Sequence, residues 1–125
     1  MGQTEISHFW VGHLPEDLRG RYFEEALDEG DDAPLSLFAR DQAQKYYDHD
    51  FLEYGWGTAQ TVQELVSGYS YSDQWANEFA RRVGAANLPP FDFFMFISKQ
   101  EVRHPRSVHG DGYWLHYLGT IEYRT

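Results

Sequence analysis

The chain has 125 residues, 42% of them apolar, no cysteine, and 20 acidic against 10 basic residues for a formal net charge of -10. That length suits one domain, residues 1–125, with a core of its own, and the absence of thiols excludes a disulfide framework, a thiolate metal site and a cysteine nucleophile. The charge disfavours nucleic acid or an anionic membrane as partner and favours a basic protein.

No basic segment followed by an apolar run opens the chain, and no stretch approaches the ~20 apolar residues of a membrane span, so a cytoplasmic location is expected. Aromatic residues make up 18% of the chain, with nine Tyr and four Trp. Rings mostly build cores, but polar-tipped rings in this number also suit an interface centre.

In chain order, Ile6 to Gly12 is rich in β-branched and aromatic residues and predicts a strand, covered on both faces because Phe9 to Val11 is continuously apolar. His8 and His13 lie five residues apart on it, an odd offset that points them to opposite faces and away from a shared metal. Pro15 opens a predicted helix to about Leu27, with Leu18, Tyr22, Phe23, Ala26 and Leu27 as its buried stripe. Glu24, Glu25, Asp28 and Glu29 then crowd the negative end of that helix, and Asp31 and Asp32 follow Gly30. Acid there costs about 0.3–1 kcal/mol per group, so the segment is either a solvated loop or a binding surface.

Pro34 starts a second predicted helix, reaching Tyr47, with Leu35, Phe38, Ala39, Ala43, Tyr46 and Tyr47 on one face. Arg40, Asp41, Gln44 and Lys45 occupy the other, Asp41 and Lys45 forming an i, i+4 pair. It delivers the acidic corner Asp48-His49-Asp50 into a strand from Phe51 to Trp56. Thr61 to Glu64 has the pattern of a capping box and predicts a short helix ending at Gly68. A longer one begins with Ser72 as N-cap, has Trp75, Ala76, Phe79, Ala80 and Val83 on one face, and places Arg81 and Arg82 at its negative end. Phe91 to Ile97 reads as a central strand, and Gly110-Asp111-Gly112 as a hairpin turn that sends Tyr113 to Tyr123 back beside it. On that last strand Tyr113, Leu115, Tyr117 and Ile121 should share a face.

The order βααβααββ predicts an α+β domain, a two-layer sandwich whose sheet of about four mainly antiparallel strands carries helices mostly on one face. A three-layer, partly parallel sheet is the alternative.

Three chemistries compete for the acidic corner. Asp48, His49 and Asp50 could ligate a metal with help from His104, His109, Asp111 or His116, which would make a small metal-dependent hydrolase. Three consecutive residues cannot surround one ion alone, however, and no spaced His pair accompanies them. Asp48 could orient His49 as a general base, but no nucleophile elbow, phosphate loop or dinucleotide fingerprint is present. Protein binding absorbs the most features, since acid with neighbouring Tyr and Trp can steer and anchor a basic partner. No cofactor is expected.

His8-Phe9-Trp10-Val11-Gly12, the acidic aromatic helix after it, and the run from Ser36-Leu37-Phe38-Ala39-Arg40-Asp41-Gln42 into Tyr47-Asp48-His49-Asp50-Phe51-Leu52-Glu53 resemble the immunity protein 22 family, over about residues 8 to 97. The resemblance implies a small cytoplasmic protein of a bacterial polymorphic toxin system that neutralises a cognate toxin and is no enzyme. It implies structural roles for Trp10 and Gly12, and binding or structural roles for Asp41, Tyr47, Asp48, Asp50 and Glu53. With the charge, it implies a basic toxin such as a nuclease, met by Glu24, Glu25, Asp28, Glu29, Asp31, Asp32 and His49 together with the motif's polar residues.

Overall fold

The structure, a computed structural model, describes residues 3–25, 33–57 and 61–125. Its strands are β1 (Thr4–His13), β2 (Leu52–Trp56), β3 (Phe93–Ser98), β4 (Val108–His109) and β5 (Trp114–Arg124). They form one sheet in the order β2-β3-β1-β5-β4, with every neighbouring pair antiparallel.

The α+β class holds, and the sheet has five strands rather than about four. The extra one is β4, which the Gly110-Asp111-Gly112 turn folds onto Trp114 and Leu115 of β5. The centre of the sheet is β1, not β3, and β5 returns beside β1. The reason is length: β1 is apolar through Phe9, Trp10 and Val11, all 0% exposed, and its ten residues can pair along nearly all of β5 on one side and along β3 on the other.

Alternation along the strands divides the core in two. Trp10, Phe93, Met95, Ile97 and Leu115 face one side with Leu14, Tyr22, Phe23, Phe38 and Tyr47. Phe9, Val11, Phe94, Phe96 and Ile121 face the other, beneath Val66, Trp75 and Phe79. Both faces are therefore covered, which corrects the two-layer expectation: two apolar faces in water each need a lid, and burying one Phe or Leu contributes about 1.5–3 kcal/mol.

Ile121 also lies on the opposite side from Leu115 and Tyr117. The β1–β5 register slips between Phe9 and Trp10, whose partners are Gly119 and Tyr117. Leu118 is the extra residue of this β-bulge, and it inverts the facing of everything after it. Gly119, at φ 97°, supplies a left-handed conformation there.

The helices are α1 (Glu16–Arg19), α2 (Leu37–Asp41), α3 (Val62–Val66) and α4 (Ser72–Ala86). The first is far shorter than predicted: it stops at Arg19, and beyond it the carbonyl of Tyr22 accepts the N–H of Phe38 at 3.1 Å. Glu24 and Glu25 thus escape the dipole conflict, and α1 has Glu16 and Asp17 in its first turn and Arg19 in its last. Ser36 caps α2 by accepting from the N–H of Ala39 at 3.1 Å. Ala43, at φ 54°, ends any continuation toward Tyr47.

The capping interaction of α3 forms as expected, Thr61 Oγ1 accepting from the N–H of Glu64 at 3.1 Å. In α4 the apolar face includes Trp75, Ala76, Phe79 and Val83 as predicted. Ser72 is its first residue rather than its cap, behind Tyr71 at φ 57°, and the helix runs past Gly84 to close at Asn87. Arg81 and Arg82 consequently precede the last turn and pair with Glu78. Among the described residues no helix is long and apolar enough to cross a membrane.

Candidate functional site

The corner Asp48-His49-Asp50 is a junction built by main-chain bonding. Asp48 caps a single 3-10 turn, His49–Phe51, by accepting from the N–H of Asp50 at 3.0 Å, and donates its own N–H to Glu101 Oε1 at 2.7 Å. The turn then runs into β2. Its three polar side chains diverge: Asp48 is occupied as a cap, His49 faces the α2 side of the sheet, and Asp50 is exposed toward the α4 side.

His49 lines an open cleft of about 760 Å³ with Arg19, Phe23, Glu24, Glu25, Tyr54 and Trp56. Tyr54 and Phe23 stack at 4.3 Å and Trp56 meets Tyr54 edge-on at 5.2 Å, so the floor is aromatic. Arg19 lies 5.8 Å above the Trp56 ring and is held by the carbonyl of Leu14 at 3.0 Å and by Asp92 Oδ2 at 3.2 Å. The same carboxylate oxygen accepts from His13 Nδ1 at 2.9 Å. Glu25 Oε1 stands 3.8 Å from His49 Nδ1, beyond hydrogen-bonding distance. His49 Nδ1 and Trp56 Nε1 are buried nitrogens with no hydrogen-bond partner among the described residues, and an unsatisfied buried donor costs about 1–3 kcal/mol until something pairs with it.

The remaining expected site residues divide between surface and core. Glu53 accepts the N–H of Ser70 at 3.1 Å and, with Asp50, lines a separate cavity of about 280 Å³ on the α4 side. Glu24 and Glu53 therefore lie on opposite faces of the sheet margin. Tyr47 is 1% exposed, and its hydroxyl bonds to that of Ser36 at 3.1 Å. Burial pushes the Tyr47 hydroxyl up to about 12, and nothing of it is offered to a partner.

The Asp41 carboxylate accepts from Tyr22 at 2.8 Å, Tyr113 at 2.5 Å and Arg40 at 3.2 Å. Burial, reinforced by the Asp41 charge, raises the Tyr22 hydroxyl far above its usual range and Tyr113 to about 12. Both tyrosines thus remain donors at any physiological pH. Asp28, Glu29, Asp31 and Asp32 lie outside the described residues.

Among the described residues no three His, Cys, Asp or Glu side chains gather closely enough to hold a metal ion. His104 and His109 are exposed, and His116 is half-buried on β5.

Two glutamines, Gln44 of the predicted polar face and Gln42, organise the fold. Gln42, 1% exposed, donates to the carbonyl of Arg106 at 3.1 Å and accepts its N–H at 2.8 Å. Gln44 accepts the N–H of Arg103 at 2.9 Å and donates to the carbonyl of Glu101. Together with Trp10 Nε1, which also donates to Arg106 at 3.0 Å, they fasten the loop before β4 to α2. Only the break after α2 makes these amides available, and no local pattern announces it.

The model of a family described as Immunity protein 22 matches residues 8–124, which takes in the C-terminal hairpin as well as the earlier motifs. No curated protein and no solved structure matches the chain.

Proposed function

Because the chain belongs to the immunity protein 22 family, we propose that it is a cytoplasmic inhibitor in a polymorphic toxin system, binding and neutralising a cognate toxin domain rather than catalysing a reaction. The toxin it meets is basic, and a nuclease fits that description: a protein built to hold phosphates presents cationic groups that carboxylates can occupy. The docking surface includes Glu24, Glu25 and His49 over the aromatic floor of Tyr54 and Trp56, with Asp50 and Glu53 on the other face of β2.

The observation behind this reading is the cleft in which Glu25 stands 3.8 Å from His49 and two nitrogens lack partners. Carboxylates there attract a cation, and the half-buried rings of Tyr54 and Trp56 add burial once it arrives.

The gene directly upstream should encode a chain ending in a toxin domain, and that domain should form a one-to-one complex with this protein whose affinity falls with salt. Tight binding that persists in high salt with Asp48, Asp50 and Glu53 all replaced by Ala would remove the electrostatic part of the proposal. An upstream gene without a toxin-like product would remove the rest.

A further inference from the structure

The two margins of the sheet are finished differently. Near β4, β5 is bent by the bulge at Leu118 in its pairing with β1, and Arg82 Nη1 donates to the carbonyls of Leu118 at 3.1 Å and Thr120 at 2.6 Å. Ser107 Oγ takes the N–H of Tyr117 at 2.9 Å. Bulges, short edge strands and charged groups at the rim are ways a sheet avoids pairing with another chain.

The opposite margin is β2, five residues in unbroken register with β3 from Leu52↔Ile97 to Trp56↔Phe93. Among the described residues no side chain bonds to its main chain. Carboxylates flank it on both faces, Glu24 and Glu25 in the cleft on the α2 side and Asp50 and Glu53 in the cavity on the α4 side.

We infer that the toxin docks by adding a basic β-strand to the outer edge of β2, with Lys or Arg side chains directed alternately to the two faces. This rests on the toxin-binding reading and goes further by naming the mode. Successive side chains of a strand point to opposite faces, so a strand laid against β2 delivers cations to both acidic groups, whereas a protein seated in the cleft reaches one. Main-chain hydrogen bonds along the edge supply affinity and the alternating charges supply specificity.

The test measures Kd for the toxin domain encoded directly upstream, with unaltered circular dichroism as the check on folding. Strand addition predicts that Glu24→Lys and Asp50→Lys each weaken binding about tenfold, that their effects multiply in the double variant, and that the amides of Leu52 to Trp56 exchange more slowly in the complex. If Glu24→Lys weakens binding while Asp50→Lys leaves it unchanged, the toxin sits on the cleft face alone; strand addition is then overturned and the toxin-binding reading stands. Absence of any complex with that domain overturns both.

Discussion

Tyr113 donates its hydroxyl to Asp41 at 2.5 Å across 72 residues of chain, fastening the start of β5 to the end of α2. With Tyr22 as a second donor, the Asp41 carboxylate is a tie between three segments that share no local sequence relationship. Its side chain is 10% exposed, so its removal strands two hydroxyls in a largely dry environment. Asp41→Ala should therefore lower the unfolding free energy by about 2–3 kcal/mol, measured by urea denaturation. Toxin affinity of the folded fraction should not change; an affinity loss without a stability loss would return Asp41 to the binding surface.

Gly12 gives a sharper steric prediction. A Cβ at this position would stand 2.0 Å from the carbonyl oxygen of Trp114, a main-chain atom of the neighbouring strand. That oxygen cannot rotate away as a side chain would, so β1 and β5 would have to separate at the sheet's centre. Gly12→Ala should cost about 3 kcal/mol, seen as a marked fall in Tm. Gly20→Ala, where a Cβ meets nothing within 4 Å, serves as the control and should leave Tm nearly unchanged.

His8 sets a pH dependence. It is 7% exposed, its Nδ1 lies 2.7 Å from the Tyr117 hydroxyl, and Trp10 packs beside it at 6.1 Å. Desolvation lowers its pKa below the usual 6.5. The unfolded chain therefore binds a proton more readily than the folded one, and the stability conferred by neutral His8 is fully present above pH 6.5 and is lost as the pH falls toward the lowered folded value. Tm should decline from pH 7.5 to pH 5, and His8→Gln should flatten that decline. An unchanged pH dependence in the variant would mean that another group carries it.

Local signals account for the pieces that rest on nearest neighbours. The capping interaction at Thr61 and Glu64, the apolar face of α4 from Trp75 to Val83, the apolar character of β1 and the turn at Gly110 follow from patterns a few residues long. The failures share one cause, bonds made far along the chain. Tyr22, in the segment predicted to continue α1, bonds instead to Phe38, and Gln42 and Gln44 leave the α2 helix to hold the loop from Glu101 to Arg106. A periodic apolar stripe cannot reveal where such distant carbonyls and amides will compete for the backbone.

The sequence by itself determined which segments are apolar, the α+β class and the family motifs around Trp10, Gly12 and Tyr47, because apolar periodicity and turn chemistry are local. Tertiary structure alone decided that β1 is central, that the bulge at Leu118 sends Ile121 to the opposite face, and that Glu24 and Glu25 stand on one side of β2 while Asp50 and Glu53 stand on the other. Strand order and facing depend on register between distant segments, and a one-residue slip in register reverses which face every later side chain meets.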